Sequence, residues 1–229
     1  MTFNVIATGS DGNATIINES IVVDIGVPYK AIKHHVKRFQ LVLLTHIHGD
    51  HFNPATVKRL AMERPTIRWG CCEWMVKPLL DAGVYKRQID VYLPDHFARY
   101  SRQGISIKPV RTPHNVPNCA YQIKTPDGSA FYATDCGSLD GIEAKDFDVY
   151  FVEANHSAEE LEKRAAAKLE SGEFSYEIRA AENHLSIEQA TDWLTQNMGP
   201  RSVWVPMHQH RTKGTEADEQ STTDGPLDP

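Results

Sequence analysis

The stretch Leu41-Val42-Leu43-Leu44-Thr45-His46-Ile47-His48-Gly49-Asp50-His51 decides how this chain is read. Its first four residues form a bounded aliphatic run, which predicts a buried strand over 41–44. Four potential ligands then fall within six residues, where chain that has left a strand ladder can wrap around a point. Alternate residues His46 and His48 can reach one ion while Asp50 and His51 reach another, and imidazole with carboxylate suits zinc and neighbouring transition metals. As a plain polar loop, the same residues would set Asp50 against three imidazoles for no structural gain.

On the N-terminal side, strands are expected over 3–8, 14–18 and 21–24, with Gly9-Ser10-Asp11-Gly12-Asn13 as the first break and a helical stretch over 28–37. On the C-terminal side the pattern predicts a helix over 54–62, a strand over 66–69 and a helix over 72–82 closed by Gly83. Strands over 105–110, 119–124 and 129–134 follow, the last two joined as a hairpin through Pro126-Asp127-Gly128. A strand over 149–152, helices over 158–169 and 187–197, and a strand over 202–206 complete the pattern. A β-rich half followed by strands mixed with helices predicts an α/β fold of two sheets face to face with helices outside, an αββα sandwich. Residues 1–213 contain no repeat and no linker and are read as one domain; 214–229 read as a disordered acidic tail.

Further donors stand where the later strands are expected to end. His114 follows 105–110, Asp135 closes 130–134, His156 follows 149–152 and His208 follows 202–206. Loops at one edge of a fold converge in space, so ligands far apart in sequence can build one site. Singly these residues say little, since a lone histidine is more often a surface residue and Asp135 before Cys136-Gly137 could simply form a turn. Jointly they extend the cluster at 46–51.

With these residues in view, the sequence resembles the metallo-β-lactamase-fold hydrolases from about Ser10 to His210. THIHGDH matches the H-x-H-x-D-H signature of that family, and Asp24 in Val22-Val23-Asp24-Ile25-Gly26 matches its early aspartate. HNVPNCAYQI, beginning at His114, is similar to the third-histidine motif of the ribonuclease Z type, and ATDCG supplies Asp135 as the bridging aspartate. VEANHS around His156, NHLS around His184 and VWVPMHQH around His208 follow the order of the YycJ-like (WalJ-like) phosphohydrolases, relatives assigned as DNA-processing nucleases. The chain departs from that branch at Ala154, Ser157, Asn183 and Ile187, and the departures leave the metal set intact.

The resemblance implies that one metal takes His46, His48 and His114, the other Asp50, His51 and His208, with Asp135 bridging. Two divalent ions ~3.5–4 Å apart would hold a hydroxide between them as the nucleophile. Asp50, a ligand beside that water, steers or accepts its proton. His184 lies where the nuclease branch places a phosphate-facing histidine, which gives it the role of general acid. Ser186 with Gln189 is also a capping-box pattern for the next helix, and the two roles are compatible. His156 divides evenly between substrate contact and loop structure, while His210 is the alternative to His208 as terminal ligand. His34, His35 and His96 read as surface residues. The expected function is a dinuclear metal-dependent phosphodiesterase with zinc or manganese, iron being equally acceptable to the donor set. Its expected substrate is nucleic acid, DNA ahead of RNA. The alternatives are a small-molecule hydrolase for a cyclic or nucleotide phosphodiester, a thioester or a lactam, and a catalytically silent metal-binding module.

Composition bears on what else the chain can do. Its longest aliphatic run is Leu41–Leu44, far below the ~20 apolar residues of a membrane span. Met1-Thr2-Phe3-Asn4-Val5-Ile6 carries no secretion pattern, so a cytoplasmic address is expected. Cys71, Cys72, Cys119 and Cys136 contain no C-x-x-C, and are read as reduced structural thiols. The 24 basic and 30 acidic residues give a net charge of -6, which argues against broad binding to a phosphate backbone. Five of the acidic residues, Glu216, Asp218, Glu219, Asp224 and Asp228, lie in 214–229, a segment with no Lys or Arg. The rest of the chain is therefore within one unit of neutral, and Lys163, Arg164, Lys168, Arg179 and Arg211 gather near the later motifs.

Overall fold

Strand β4 (Leu41–Leu44) shows how the sandwich is assembled. Leu41 and Leu43 pack into the layer between two sheets, and Val42 and Leu44 into the layer beneath the outer helices. Side chains alternate across a strand, so a strand covered on both faces must be apolar at every position. The same division recurs in β10 (Gly128–Ala133) and β11 (Val149–Glu153). There Ala130, Tyr132, Val149 and Phe151 face the other sheet, and Phe131, Ala133, Tyr150 and Val152 face a helix.

The computed structural model describes residues 1–159, 161, 163 and 182–209. Most of the helix expected over 158–169, the acidic segment 214–229, His210, and the basic residues Arg164, Lys168, Arg179 and Arg211 lie outside them. One six-stranded sheet runs in sequence order: β1 (Phe3–Ala7), β2 (Ala14–Ile17), β3 (Ile21–Val23), β4, β5 (Arg68–Cys72) and β6 (Ile89–Tyr92). In the second sheet β12 (Val203–Met207) is followed by β11, β10, β9 (Asn118–Thr125), β8 (Ile105–Thr112) and β7 (Ala98–Tyr100). The expected αββα sandwich is the observed one. Helices α1 (Tyr29–Ile32), α2 (Pro54–Glu63) and α3 (Val76–Asp81) cover the first sheet, and α4 (Ile187–Asn197) covers the second through Ala190, Trp193 and Leu194.

Strand direction explains where the donors collect. β3, β4 and β5 are mutually parallel, as are β10, β11 and β12. Two antiparallel steps through β9 bring β8 parallel to β10. The C-terminal ends of all these strands therefore share one edge of their sheet, and the loops leaving them meet there.

Local departures from the expected elements have local causes. The helix expected over 28–37 is one turn of α1 followed by a 3-10 turn at Val36–Arg38. Arg64 Nη1 takes the Val36 carbonyl at 2.6 Å and Nη2 takes that of Phe39 at 3.3 Å, turning the chain so that Phe39 is buried just before β4. β5 runs on through Cys71 and Cys72, which ladder with β4 and β6, so the next helix begins later than its sequence suggests. β6 and β7 were not expected, because short edge strands with one exposed face carry little periodic signal. All four cysteines are buried and free.

Candidate metal centre

Two of the expected ligands, and the early aspartate of the family pattern, leave their strands in a conformation unusual for their residue type. Asp24, just after β3, Asp135, after β10, and His208, after β12, have φ of 62, 52 and 47°. Such left-handed backbone at a residue with a Cβ costs about 1–3 kcal/mol and persists only where the surroundings dictate it. Asp24 N–H is bonded to Leu43 O at 2.8 Å. Asn118 Nδ2 donates to Thr134 O at 3.2 Å and Asp135 O at 2.7 Å. His208 N–H donates to Thr8 Oγ1 at 2.7 Å, tying the last strand to the first loop. Each bond locks a turn that sends its side chain back over the strand ends.

Packing of the loop at 45–51 leaves no room for a side chain at Gly26, where a Cβ would stand 1.7 Å from Asp50 O. The Asn13 N–H donates to that same carbonyl at 2.6 Å. Across the cleft Gly137 is equally tight, its Cβ position lying 2.1 Å from Glu182 O, just before His184. Tyr121 Oη donates to Leu44 O at 2.6 Å and Trp74 Nε1 to Thr45 O at 3.1 Å, pinning the exit of β4.

His46, His48 and His114 bring their ring nitrogens together, His48 Nδ1 lying 3.2 Å from His46 Nε2 and 3.3 Å from His114 Nε2. Partners on the far side of two rings set the tautomers. His46 Nδ1 is 2.9 Å from Thr45 Oγ1, whose hydroxyl donates to Asp24, and His114 Nδ1 donates to Asn183 O at 3.2 Å. Both Nε2 atoms thus turn lone pairs toward His48 Nδ1, which has one proton at most to share between them. A cation resolves that repulsion. Burial first, and then the positive charge of His51, holds His46 far below the usual imidazole range, while burial pushes His114 down to about 4. Both are neutral at neutral pH, the state a metal requires.

Asp50, His51, Asp135 and His208 form a second donor group beside the first. His51 is buried between two aspartates: Nδ1 lies 2.7 Å from Asp24 Oδ2, and Nε2 lies against Asp135 Oδ2. Burial works to lower His51, but the Asp135 and Asp24 carboxylates outweigh it and raise it well above its ordinary value. Burial likewise works to raise Asp135, yet the His51 charge holds it well below the usual carboxylate range. Asp135 is buried, and its Oδ2 has the His51 ring nitrogen against it, so the carboxylate is aimed into the site. His208 Nε2 stands 3.4 Å from Asp50 Oδ2 and 3.3 Å from Asp135 Oδ1. Two imidazoles and two carboxylates whose donor atoms converge fit a second divalent ion.

His184 joins this group through its neighbours. Its Nδ1 is 3.1 Å from Glu153 Oε2 and 3.2 Å from Asp135 Oδ1, and its ring stacks on that of His208 at 5.0 Å. The expected capping box also forms, Gln189 N donating to Ser186 Oγ at 3.1 Å and Ser186 N to Gln189 Oε1 at 2.9 Å. His156 bridges to Ser186 by its backbone and lies 3.4 Å from Asn155 Oδ1 through its ring. His34 and His96 are exposed and His35 half-buried, all away from the cluster.

Three participants were not singled out from the sequence. Glu153 is buried at the end of β11, its Oε1 accepting from Cys136 N at 2.7 Å and Leu185 N at 3.0 Å. Asn13 Nδ2 reaches 2.8 Å from His51 Nε2, and Asn155 Nδ2 lies 3.0 Å from His208 Nδ1. A carboxylate closing an otherwise apolar strand was the available signal for Glu153; the two asparagines look like ordinary turn residues.

Residues 24–209 match the family described as the beta-lactamase superfamily domain. The chain belongs to the metallo-β-lactamase superfamily. Its fold is shared with the metallo-β-lactamase fold protein YhfI from Bacillus subtilis, at 15% identity and TM-score 0.67 over 90% of this chain and 85% of that one. Human tRNase Z, short form, is similar over 91% of this chain and 92% of its own, at 14% identity and TM-score 0.70. A diphosphatase from the PhnP family covers 90% of this chain and 86% of its own at 16% identity and TM-score 0.61. No curated protein sequence matches the chain. Within the superfamily fold, the His/Asp cluster fits a dinuclear metal site. No helix among the described residues is long and apolar enough to cross a membrane.

Proposed function

We propose that this protein is a dinuclear metal-dependent phosphodiesterase of the YycJ-like branch whose substrate is a nucleic acid strand, DNA ahead of RNA. The observation that carries the reading is His184, an imidazole set beside two donor groups with two carboxylates on one of its nitrogens. Fold similarity to tRNase Z and to a PhnP-family diphosphatase is consistent with phosphoester chemistry. His46, His48 and His114 would hold one zinc or manganese ion and Asp50, His51 and His208 the other, with Asp135 between them. Bound there, such a pair supplies Lewis-acid charge to a phosphoryl oxygen and lowers the pKa of water.

Everything else is done by side chains. Asp24 orders two rings at once, taking His51 Nδ1 directly and His46 Nδ1 through Thr45. Burial works to raise Asp50, but its hydrogen bond to His208 and the His51 charge prevail and keep it an anion. Its Oδ2 is then able to orient the attacking water and accept its proton. As the imidazolium, His184 donates Nδ1–H to Glu153 or Asp135 and passes its Nε2 proton to the leaving oxygen as the ester bond breaks, ending as the neutral ring. Glu153, clamped by two backbone N–H groups, cannot swing away from that ring.

The test is hydrolysis of labelled single-stranded and duplex DNA, RNA and bis-p-nitrophenyl phosphate by manganese- and zinc-loaded protein, with His184→Ala as control. Cleavage of the strands that falls in the variant while metal content holds supports the reading. Turnover of the small ester alone moves it to a small phosphodiester. No turnover of any phosphate probe sinks it.

A further inference from the structure

Arg111, on β8, is an exposed cation at the edge of the metal centre. Its guanidinium carbon lies 5.2 Å from the centroid of the Trp74 ring. Trp74 is half-buried and fixed, since its Nε1 donates to Thr45 O at 3.1 Å, one residue before His46. The strand beneath Arg111 is tied to the same carbonyl, because Arg111 pairs with Cys119, whose Sγ is 3.9 Å from Thr45 O. Two residues, Thr112 and Pro113, separate Arg111 from His114, a span of at most about 10 Å between Cα atoms when extended.

Arg87 also stacks on an aromatic ring, that of Tyr85, but it precedes the N-terminal end of β6, at the edge of the first sheet opposite the donors. Arg38 pairs with Glu19, Arg59 with Glu63 and Arg68 with Asp90, while Arg64 caps two carbonyls. Among the described residues no carboxylate pairs with Arg111, and only the indole face holds it. Stacking orients a guanidinium without using its N–H donors, and that fork matches phosphate oxygens. The position lies beside the donor clusters rather than among them, linked to His46 through Trp74 and the Thr45 carbonyl.

We propose that Arg111, braced on Trp74, binds a phosphate of the substrate strand next to the one that is cleaved, so that the site selects a polynucleotide over an isolated phosphodiester. This rests on the phosphodiesterase reading above and assigns Arg111 to specificity. An isolated diester has no second phosphate to offer.

Arg111→Ala and Arg111→Lys are to be compared with wild type, manganese-loaded, on a labelled single-stranded oligodeoxynucleotide and on bis-p-nitrophenyl phosphate. In Arg111→Ala the KM for the strand is expected to rise about tenfold, the scale of one charge-assisted hydrogen bond, with kcat little changed. The preference for strand over small ester falls by the same factor, and Arg111→Lys recovers part of it. For binding of a short phosphorothioate strand, the slope of log affinity against log salt becomes shallower by about 0.7 in Arg111→Ala. Equal losses on both probes, an unchanged KM for the strand or an unchanged salt slope overturns the proposal and leaves the phosphodiesterase reading standing. Wild-type turnover of the small ester alone overturns the proposal as well. If wild type turns over neither probe, the phosphodiesterase reading fails and this inference fails with it.

Discussion

His46, His48, Asp50 and His51 lie within six residues after β4, whereas His114, Asp135, Glu153, His184 and His208 are dispersed along the second half of the chain. The first sheet concentrates its donors in one loop and holds that loop from behind, with Asp24, Asn13 and the bare Cα of Gly26. The second sheet has no such loop, and relies on parallel strands that end at a common edge. Yet the halves meet symmetrically at one side chain. His51 stands between Asp24 from the first sheet and Asp135 from the second, each aspartate buried and each in left-handed backbone at a strand end. A local cluster needs outside support only to aim its rings; a dispersed one depends on the whole sheet being in register.

Asp135 reaches across that divide to His51 and is the bridge between the two ions in the proposed reading, so Asp135→Ala should do the most damage. Loss of one pre-placed electrostatic group is worth roughly 10²–10³ in rate, and here a metal ion is expected to go with it. Hydrolysis of bis-p-nitrophenyl phosphate together with elemental analysis checks this; full metal content with near-normal rate would remove Asp135 from the centre.

Glu153→Gln probes the dispersed half alone. Its expected loss approaches the roughly 10²-fold lower limit for a positioned general acid, with both ions retained. Were metal lost instead, Glu153 would count as a ligand, as its grouping with Asp135, His184 and His208 allows.

On the first-sheet side, Asp24→Asn keeps the size of the residue but removes the charge that faces His51 Nδ1. Outer partners of metal ligands are worth about 10–100-fold in affinity, so competition with a chromogenic chelator should show a loss in that range. An affinity unchanged within error would mean that the first loop aims its own rings.

Gly26→Ala should disturb packing more than chemistry. Overpacking costs about 1–3 kcal/mol, and thermal unfolding of the variant should show at least that. A neutral result would mean that the loop at 45–51 gives way easily.

A last effect is linked to pH. In the metal-free state His51 is raised and carries a proton at neutral pH, so metal uptake must displace it. Affinity should therefore fall as pH falls, and calorimetry in buffers of different ionisation enthalpy should register proton release. Uptake without released protons would contradict a cationic His51.

Several features resisted the sequence for physical reasons. Left-handed backbone is readable where glycine occupies it, but Asp24, Asp135 and His208 carry side chains and are held there by Leu43, Asn118 and Thr8. Glu153 follows four apolar residues and looks like the end of a strand; its partners Cys136, His184 and Leu185 lie on other segments. Arg111 and Trp74 are far apart in sequence, and only the pairing of β8 with β9 brings them to the same carbonyl.

What the sequence determined by itself was everything local. A bounded run of four aliphatic residues, the break after them and the spacing of His46, His48, Asp50 and His51 already imply a buried strand opening onto a metal loop. The capping box at Ser186 is local in the same way. Tertiary structure decided which distant donors join that loop, which nitrogen of each ring faces inward, and which carboxylates stand behind them. Those choices depend on strand direction and on contacts between segments many residues apart, and no periodicity along the chain records either.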